Sequence, residues 1–204
     1  MKKTKLTPKR ILLEFPTRKE LTLHLWRISE CFEGEPGIRG VHFSFDEFVD
    51  KYSDKKGNLD YFSFWDGYNI PMDQFKKFLD LFGNELSKRE QEVKKAVHKL
   101  PNDGYFIACV EGDKVTLKHE NAHGRFFDDK EYQEKATAII ESIQPKLKRT
   151  LIAGLKKNHY QEDTFTDELH AYILAWNKDD QEDIFGNKAT LKDILKYKKQ
   201  LEDL

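Results

Sequence analysis

Two histidines four positions apart stand in the run His119-Glu120-Asn121-Ala122-His123. Residues at i and i+4 of an α-helix project from the same face one turn apart, so both imidazoles can reach one ion. Zinc prefers nitrogen and oxygen ligands, and a catalytic zinc site takes three protein ligands and leaves one position for water. Glu120 would accept the proton of that water and return it to a leaving amine. The spacing therefore predicts a hydrolytic zinc centre with His119 and His123 as ligands and Glu120 as general base.

A second helical segment, residues 166–176, offers a third ligand. On its predicted helix, Glu168 shares one face with Ala171, Tyr172 and Ala175, at spacings of three, four and seven residues. Two alanines on that face permit the close approach of another helix. If this face packs against the helix of the two histidines, Glu168 reaches the metal.

Other side chains compete for the place of third ligand. His170 is the main alternative, and because it lies roughly 200° around the helix from Glu168, both cannot face one ion. His159, near the start of the preceding loop, is a further alternative. Glu131 and Glu134 lie close to the motif in sequence, and we expect them to cover a solvated helix face.

Two more residues near the predicted centre have open roles. Tyr172 could stabilise the oxyanion that forms when water attacks a carbonyl. Packing in the core is the favoured alternative for this side chain. Arg125 follows the motif and could either clamp a substrate carboxylate or face water, and the second role is expected.

The chain resembles the zincin superfamily of metallopeptidases, of the gluzincin type, in residues 119–124 and in the helix of residues 167–172. In that group a glutamate downstream of the histidine helix completes the site, and here Glu168 follows His123 by 45 residues. The resemblance implies Zn²⁺ as cofactor, a peptide or protein as substrate, and a strand before the active helix. The metzincin pattern is absent, because its third histidine would stand at Asp129. A catalytically inactive zincin-like binding or interaction module is the alternative function.

Composition narrows the possible partners and compartment. Lys plus Arg number 35 and Asp plus Glu number 36, with the two signs interspersed, so nucleic acid or an anionic membrane has little electrostatic support. No apolar run approaches the roughly 20 residues that span a bilayer, and the basic first ten residues lack a long apolar continuation typical of a signal peptide. Cys31 and Cys109 are far apart, which favours reduced, partly buried thiols. We therefore expect a cytoplasmic protein without a membrane partner.

The predicted elements give an α+β, helix-dominated chain. Strands are expected at residues 11–15, 105–110 and 114–117, the last immediately before the histidine motif. Gly124 is expected to close a short motif helix. The expected helix starts are Pro16-Thr17, Ser44 with Glu47, Pro71, Ser87 with Glu90, Asp128 or Asp129, Pro145, Thr166 and Thr190. Because no Gly/Pro/Ser-rich linker divides the chain, residues 1–204 are predicted to form a single domain. The resemblance implies that this domain is zincin-like, with a small sheet beside the helix that carries His119 and His123.

Overall fold

The computed structural model describes residues 1–63, 65–158, 160–176, 184–185 and 189–204. It is mixed α+β and rich in helix, as the sequence predicts. The chain divides into two compact units, Met1–Asp113 and Lys114–Leu204. Within the part of the chain that is described, none of the helices combines the length and the hydropathy of a membrane-spanning segment.

The first unit is built around a four-stranded mixed sheet. Its strands are β1 (Lys2–Lys5), β2 (Arg10–Phe15), β3 (Gly67–Pro71) and β4 (Tyr105–Val110), in the spatial order β1-β2-β4-β3. The central pair, β2 and β4, is parallel, and each outer strand runs antiparallel to its neighbour. Nearly every residue of β2 and β4 is buried, as expected for strands covered on both faces.

Among the described residues, the first unit also contains the α-helices α1 (Arg18–Glu33), α2 (Phe45–Tyr52), α3 (Met72–Phe82) and α4 (Lys88–Val97) and a 3-10 turn, Tyr61–Ser63. The capping boxes predicted at the starts of α2 and α4 are both present, and they fix where these helices begin. The core of the unit is rich in aromatic rings. Cys31 and Cys109 are buried and form no disulfide, as predicted for reduced thiols. Fully buried members of this core include Leu21, Leu25, Phe48, Phe78, Phe82 and Phe106.

In the second unit the described elements are helical: α5 (Lys114–Asp128), α6 (Lys130–Glu141), α7 (Pro145–Lys157), α8 (Phe165–Ala175) and α9 (Leu191–Glu202). Asp129 caps α6 by accepting a hydrogen bond from the Tyr132 N–H, and Pro145 stands in the first turn of α7. Helix α8 is apolar on most sides, so it is buried, and it packs against each of the other four helices. This central helix carries the predicted third ligand.

Three sequence predictions about the second unit are wrong. Residues 114–117 are the first turn of α5 and not a strand, because a turn with Gly112 at φ 84° ends the extended chain and the helix starts at once. The helix also continues past Gly124 to Asp128, since each further residue adds a backbone hydrogen bond. Thr166 does not cap α8, because a 3-10 turn, Glu162–Thr164, leads into the helix and starts it at Phe165.

The predicted single domain over residues 1–204 and the predicted position of a sheet beside the motif helix stay predictions. In sequence, β4 ends shortly before α5 begins, with only the turn around Gly112 between them. The described residues that could form the candidate centre all belong to the second unit. The centre can therefore be described from that unit alone.

Candidate metal centre

Helix α5 places both motif histidines on one face. His119 Nε2 and His123 Nε2 lie 3.1 Å apart, and the two rings stand nearly perpendicular to each other at an interplanar angle of 76°. The spacing of four residues within a continuous helix produces this convergence, as the sequence predicts. Two imidazole nitrogens aimed at the same point form half of a metal site.

Glu168 reaches the same point from α8. Its Oε2 lies 3.9 Å from His119 Nε2 and 3.7 Å from His123 Nε2. Helices α5 and α8 pack directly against each other, and Ala171 is fully buried on α8, which fits the small face predicted for it. The structure thus brings together the three residues that the sequence proposed as ligands.

The three atoms are spaced as metal ligands are. A point equidistant from them lies about 2.1 Å from each, which matches Zn–N and Zn–O bond lengths. Among the described residues, His119, His123 and Glu168 are the single group of three or more His, Cys, Asp or Glu side chains that could hold a metal ion. The side chains of His119 and Glu168 keep 15% and 14% of their surface exposed, whereas the Glu168 Oε2 atom itself is buried.

The charges around His123 favour a cation. Asp167 Oδ2 lies 2.9 Å from His123 Nδ1, on the side of the ring away from Glu168. Burial lowers the pKa of His123, but the charges of Asp167 and Glu168 outweigh it and raise this pKa to about 10. Burial and the neighbouring charge of His123 hold the pKa of His119 well below its usual value. Asp167 and Glu168 thus place negative charge beside His123, which favours a positive charge at this position.

His170 was the main alternative for the third ligand. Its side chain lies away from the three converging atoms, so its position does not support that role. Its Nε2 lies 2.7 Å from the Tyr132 hydroxyl, and its side chain is fully buried. The other alternative, His159, lies outside the described residues. Glu131 is exposed on α6 and pairs with Lys135, as expected for a solvated face.

Glu120 and Tyr172 both lie near the centre. Glu120 is buried, and its charge raises the pKa values of His123 and Tyr160. The Tyr172 ring packs 4.5 Å from the His119 ring, centroid to centroid, so this side chain contacts the centre and the core at once. Tyr160 joins them, because its hydroxyl lies 2.7 Å from that of Tyr172.

Three residues of this neighbourhood were missed by sequence reasoning. Tyr160 stands between α7 and α8, where no periodic pattern assigns it a direction. The positions of Tyr132 and of Asp167, whose carboxylate contacts His123 Nδ1, depend on how α6 and α8 pack. The only available signal was Asp167 standing next to Glu168. Arg125 is half-buried, and its guanidinium lies 3.7 Å from the centre of the Tyr132 ring.

No family model, curated protein or solved structure matches this chain. The geometry of the second unit is therefore what carries functional inference. Two imidazole nitrogens and one carboxylate oxygen are a ligand set that can hold a metal ion. With a buried carboxylate and two tyrosine hydroxyls close by, such a site has groups for proton transfer and for stabilising negative charge.

Proposed function

We propose that this chain is a zinc-dependent hydrolase of the gluzincin type that cleaves peptide bonds. The observation that carries the proposal is the convergence of His119 Nε2, His123 Nε2 and Glu168 Oε2 from two packed helices at metal-ligand spacing. Two imidazoles and one carboxylate are a ligand set that suits zinc, with water as the fourth ligand. When bound, it would supply Lewis acidity, which lowers the pKa of water to about 7 and polarises a carbonyl.

The protein would supply the proton transfer through Glu120. This carboxylate follows the first histidine directly, and it is close enough to the centre for its charge to act on His123. A buried carboxylate beside a site of hydrolysis can accept a proton from water and deliver it to the leaving amine. Glu120 is therefore proposed as general base and then general acid.

The hydroxyls of Tyr160 and Tyr172 would stabilise developing negative charge. They are 2.7 Å apart, so one hydroxyl donates to the other and the second retains a proton to donate. Burial holds the pKa of Tyr160 well above its usual value, and the charge of Glu168 raises it further, so this hydroxyl stays protonated. A donor pair beside the metal ligands suits an oxyanion formed from a carbonyl.

The direct test separates metal binding from turnover. Wild type, Glu120→Gln and His119→Ala are incubated with a mixed peptide library and zinc, and cleavage is followed by mass spectrometry while elemental analysis counts bound zinc. We expect Glu120→Gln to retain zinc and lose turnover by about 10²- to 10⁴-fold. His119→Ala should lose both, and exposed Glu131→Gln should lose neither.

The same experiment discriminates the alternative function. Stoichiometric zinc without cleavage by wild type would favour an inactive zincin-like binding module. An active Glu120→Gln variant would remove the general-base assignment. If neither wild type nor Glu120→Gln binds zinc, the proposal that this protein is a zinc hydrolase is contradicted.

A further inference from the structure

A chain of polar side chains leads away from His123. We call it the Asp167 relay; it consists of Asp167, His170 and Tyr132. Asp167 Oδ2 lies 2.9 Å from His123 Nδ1, and Asp167 Oδ1 lies 3.6 Å from His170 Nδ1. His170 Nε2 in turn lies 2.7 Å from the Tyr132 hydroxyl. Side chains from α5, α6 and α8 thereby lie in one line that begins at the candidate metal centre.

The contacts of each ring fix the direction of the relay. His123 turns Nε2 towards Glu168 and His119, so its Nδ1 carries the proton and donates to Asp167. Asp167 Oδ1 can only accept, so the N–H of His170 is assigned to Nδ1, which faces it, and Nε2 then accepts from the Tyr132 hydroxyl. Asp167 Oδ1 and His170 Nδ1 are buried without another hydrogen-bond partner, and a shift of a few tenths of an ångström would join them.

The outer end of the relay is also held in place. The Arg125 guanidinium stacks over the Tyr132 ring at 3.7 Å and donates a hydrogen bond to the Leu204 carbonyl at 3.0 Å. The N–H of Tyr132 donates to Asp129, which caps α6. Stacking on the ring and the hydrogen bond of the backbone N–H together hold the Tyr132 hydroxyl in one position. Tyr132 can therefore orient His170.

We infer that Asp167, oriented by His170 and Tyr132, is a positioning residue that fixes the tautomer and ring of His123 and so sets the metal affinity of the centre. A carboxylate that accepts the second N–H of a ligand histidine raises the basicity of the ligand nitrogen and holds its ring. Asp167 and Glu168 together also balance the two positive charges of a divalent ion. The inference rests on the proposed function only in requiring that the centre bind zinc.

The test measures zinc affinity by competition with a chromophoric chelator for wild type, Asp167→Asn, Tyr132→Phe and the double variant. Asp167→Asn should weaken zinc binding about 10- to 100-fold. Tyr132→Phe should weaken it by about fivefold, the effect of one hydrogen bond, and should have no added effect in the Asp167→Asn background. Tyr197→Phe is the matched control, because it removes another buried hydroxyl of the same unit, one that accepts from the Gln144 N–H.

A second readout separates positioning from general loss of structure. The visible absorption spectrum of the Co²⁺-loaded protein at saturating metal should change in Asp167→Asn and stay as in wild type in Tyr197→Phe. Unchanged zinc affinity in Asp167→Asn, or independent and additive losses from the two relay variants, would overturn the inference while leaving the zinc site intact. A wild-type protein that binds no zinc would overturn the inference and the proposed function together.

Discussion

Replacing Glu168 by glutamine keeps the size of the side chain but exchanges a charged ligand oxygen for an amide. Glu168 Oε2 lies 3.9 Å and 3.7 Å from the two histidine nitrogens, so the variant would leave those imidazoles as the remaining strong ligands. Mutation of a residue that only hydrogen-bonds to a metal ligand typically lowers metal affinity about 10- to 100-fold. Losing the charge of the ligand itself should therefore weaken zinc binding by about 100-fold or more.

Thermal unfolding converts that loss into a measurable shift. At a zinc concentration 1,000 times the wild-type Kd, wild type gains about 4.1 kcal/mol, whereas a variant that binds 100-fold more weakly gains about 1.4 kcal/mol. For a chain of this length the difference corresponds to roughly 5–11 °C in the zinc-dependent rise of Tm. Differential scanning fluorimetry with and without zinc measures it.

The control for this experiment is Glu162→Gln. Glu162 lies in the turn before α8 and is paired with Lys156, so the variant changes a carboxylate close in sequence but outside the centre. Subtracting the zinc-free Tm removes any effect of either substitution on the helix dipole. Equal zinc-dependent shifts in wild type and Glu168→Gln would refute Glu168 as a ligand.

Two further predictions concern other parts of the chain. Burial raises the pKa of Glu30, outweighing its hydrogen bonds from Tyr52 and Tyr61. The associated stability is present at acidic pH and is lost as pH rises through the folded pKa, so Glu30→Gln should become progressively more stable relative to wild type from pH 4 to pH 8 in urea titrations. A difference that does not vary with pH would contradict this. Tyr172→Phe should keep zinc affinity but reduce kcat by about 100-fold if its hydroxyl faces the oxyanion, and turnover at the wild-type rate would assign Tyr172 to packing alone.

Local signals in the sequence predicted many helix boundaries. The Ser44 and Ser87 capping boxes, Asp129 and Pro145 each mark a helix start as expected, because a cap is formed by residues within one turn of each other. The strand predicted at residues 114–117 is wrong, because four residues with alternating polarity can begin a helix as easily as form a strand. Their state was decided by the longer helix that follows.

Strands β1 and β3 could not be predicted from their own residues. The four residues of β1 are polar and exposed, and β3 contains glycine, asparagine and proline, which are depleted in strands. Both are extended because they pair with β2 and β4, whose buried apolar runs do have a strand signal. Pairing between distant segments is tertiary information, which a single segment does not contain.

In the candidate centre, too, some residues could be predicted from local sequence patterns and others depend on tertiary packing. His119, His123 and Glu168 were found because helical spacing aligns them on two faces that then pack together. The contact between Tyr132 and His170 joins residues 38 positions apart, and neither helix pattern indicates it. Residues that orient ligands from a second helix are therefore identified only once the packing is known.

The central claim is that one zinc ion is held by the three converging side chains. A crystal of protein purified without added zinc, measured on both sides of the zinc absorption edge, tests it most directly. We expect one anomalous peak in the second unit, about 2.1 Å from His119 Nε2, His123 Nε2 and Glu168 Oε2. No anomalous peak at this position after zinc soaking, or rings of His119 and His123 turned to different surroundings, would contradict the claim.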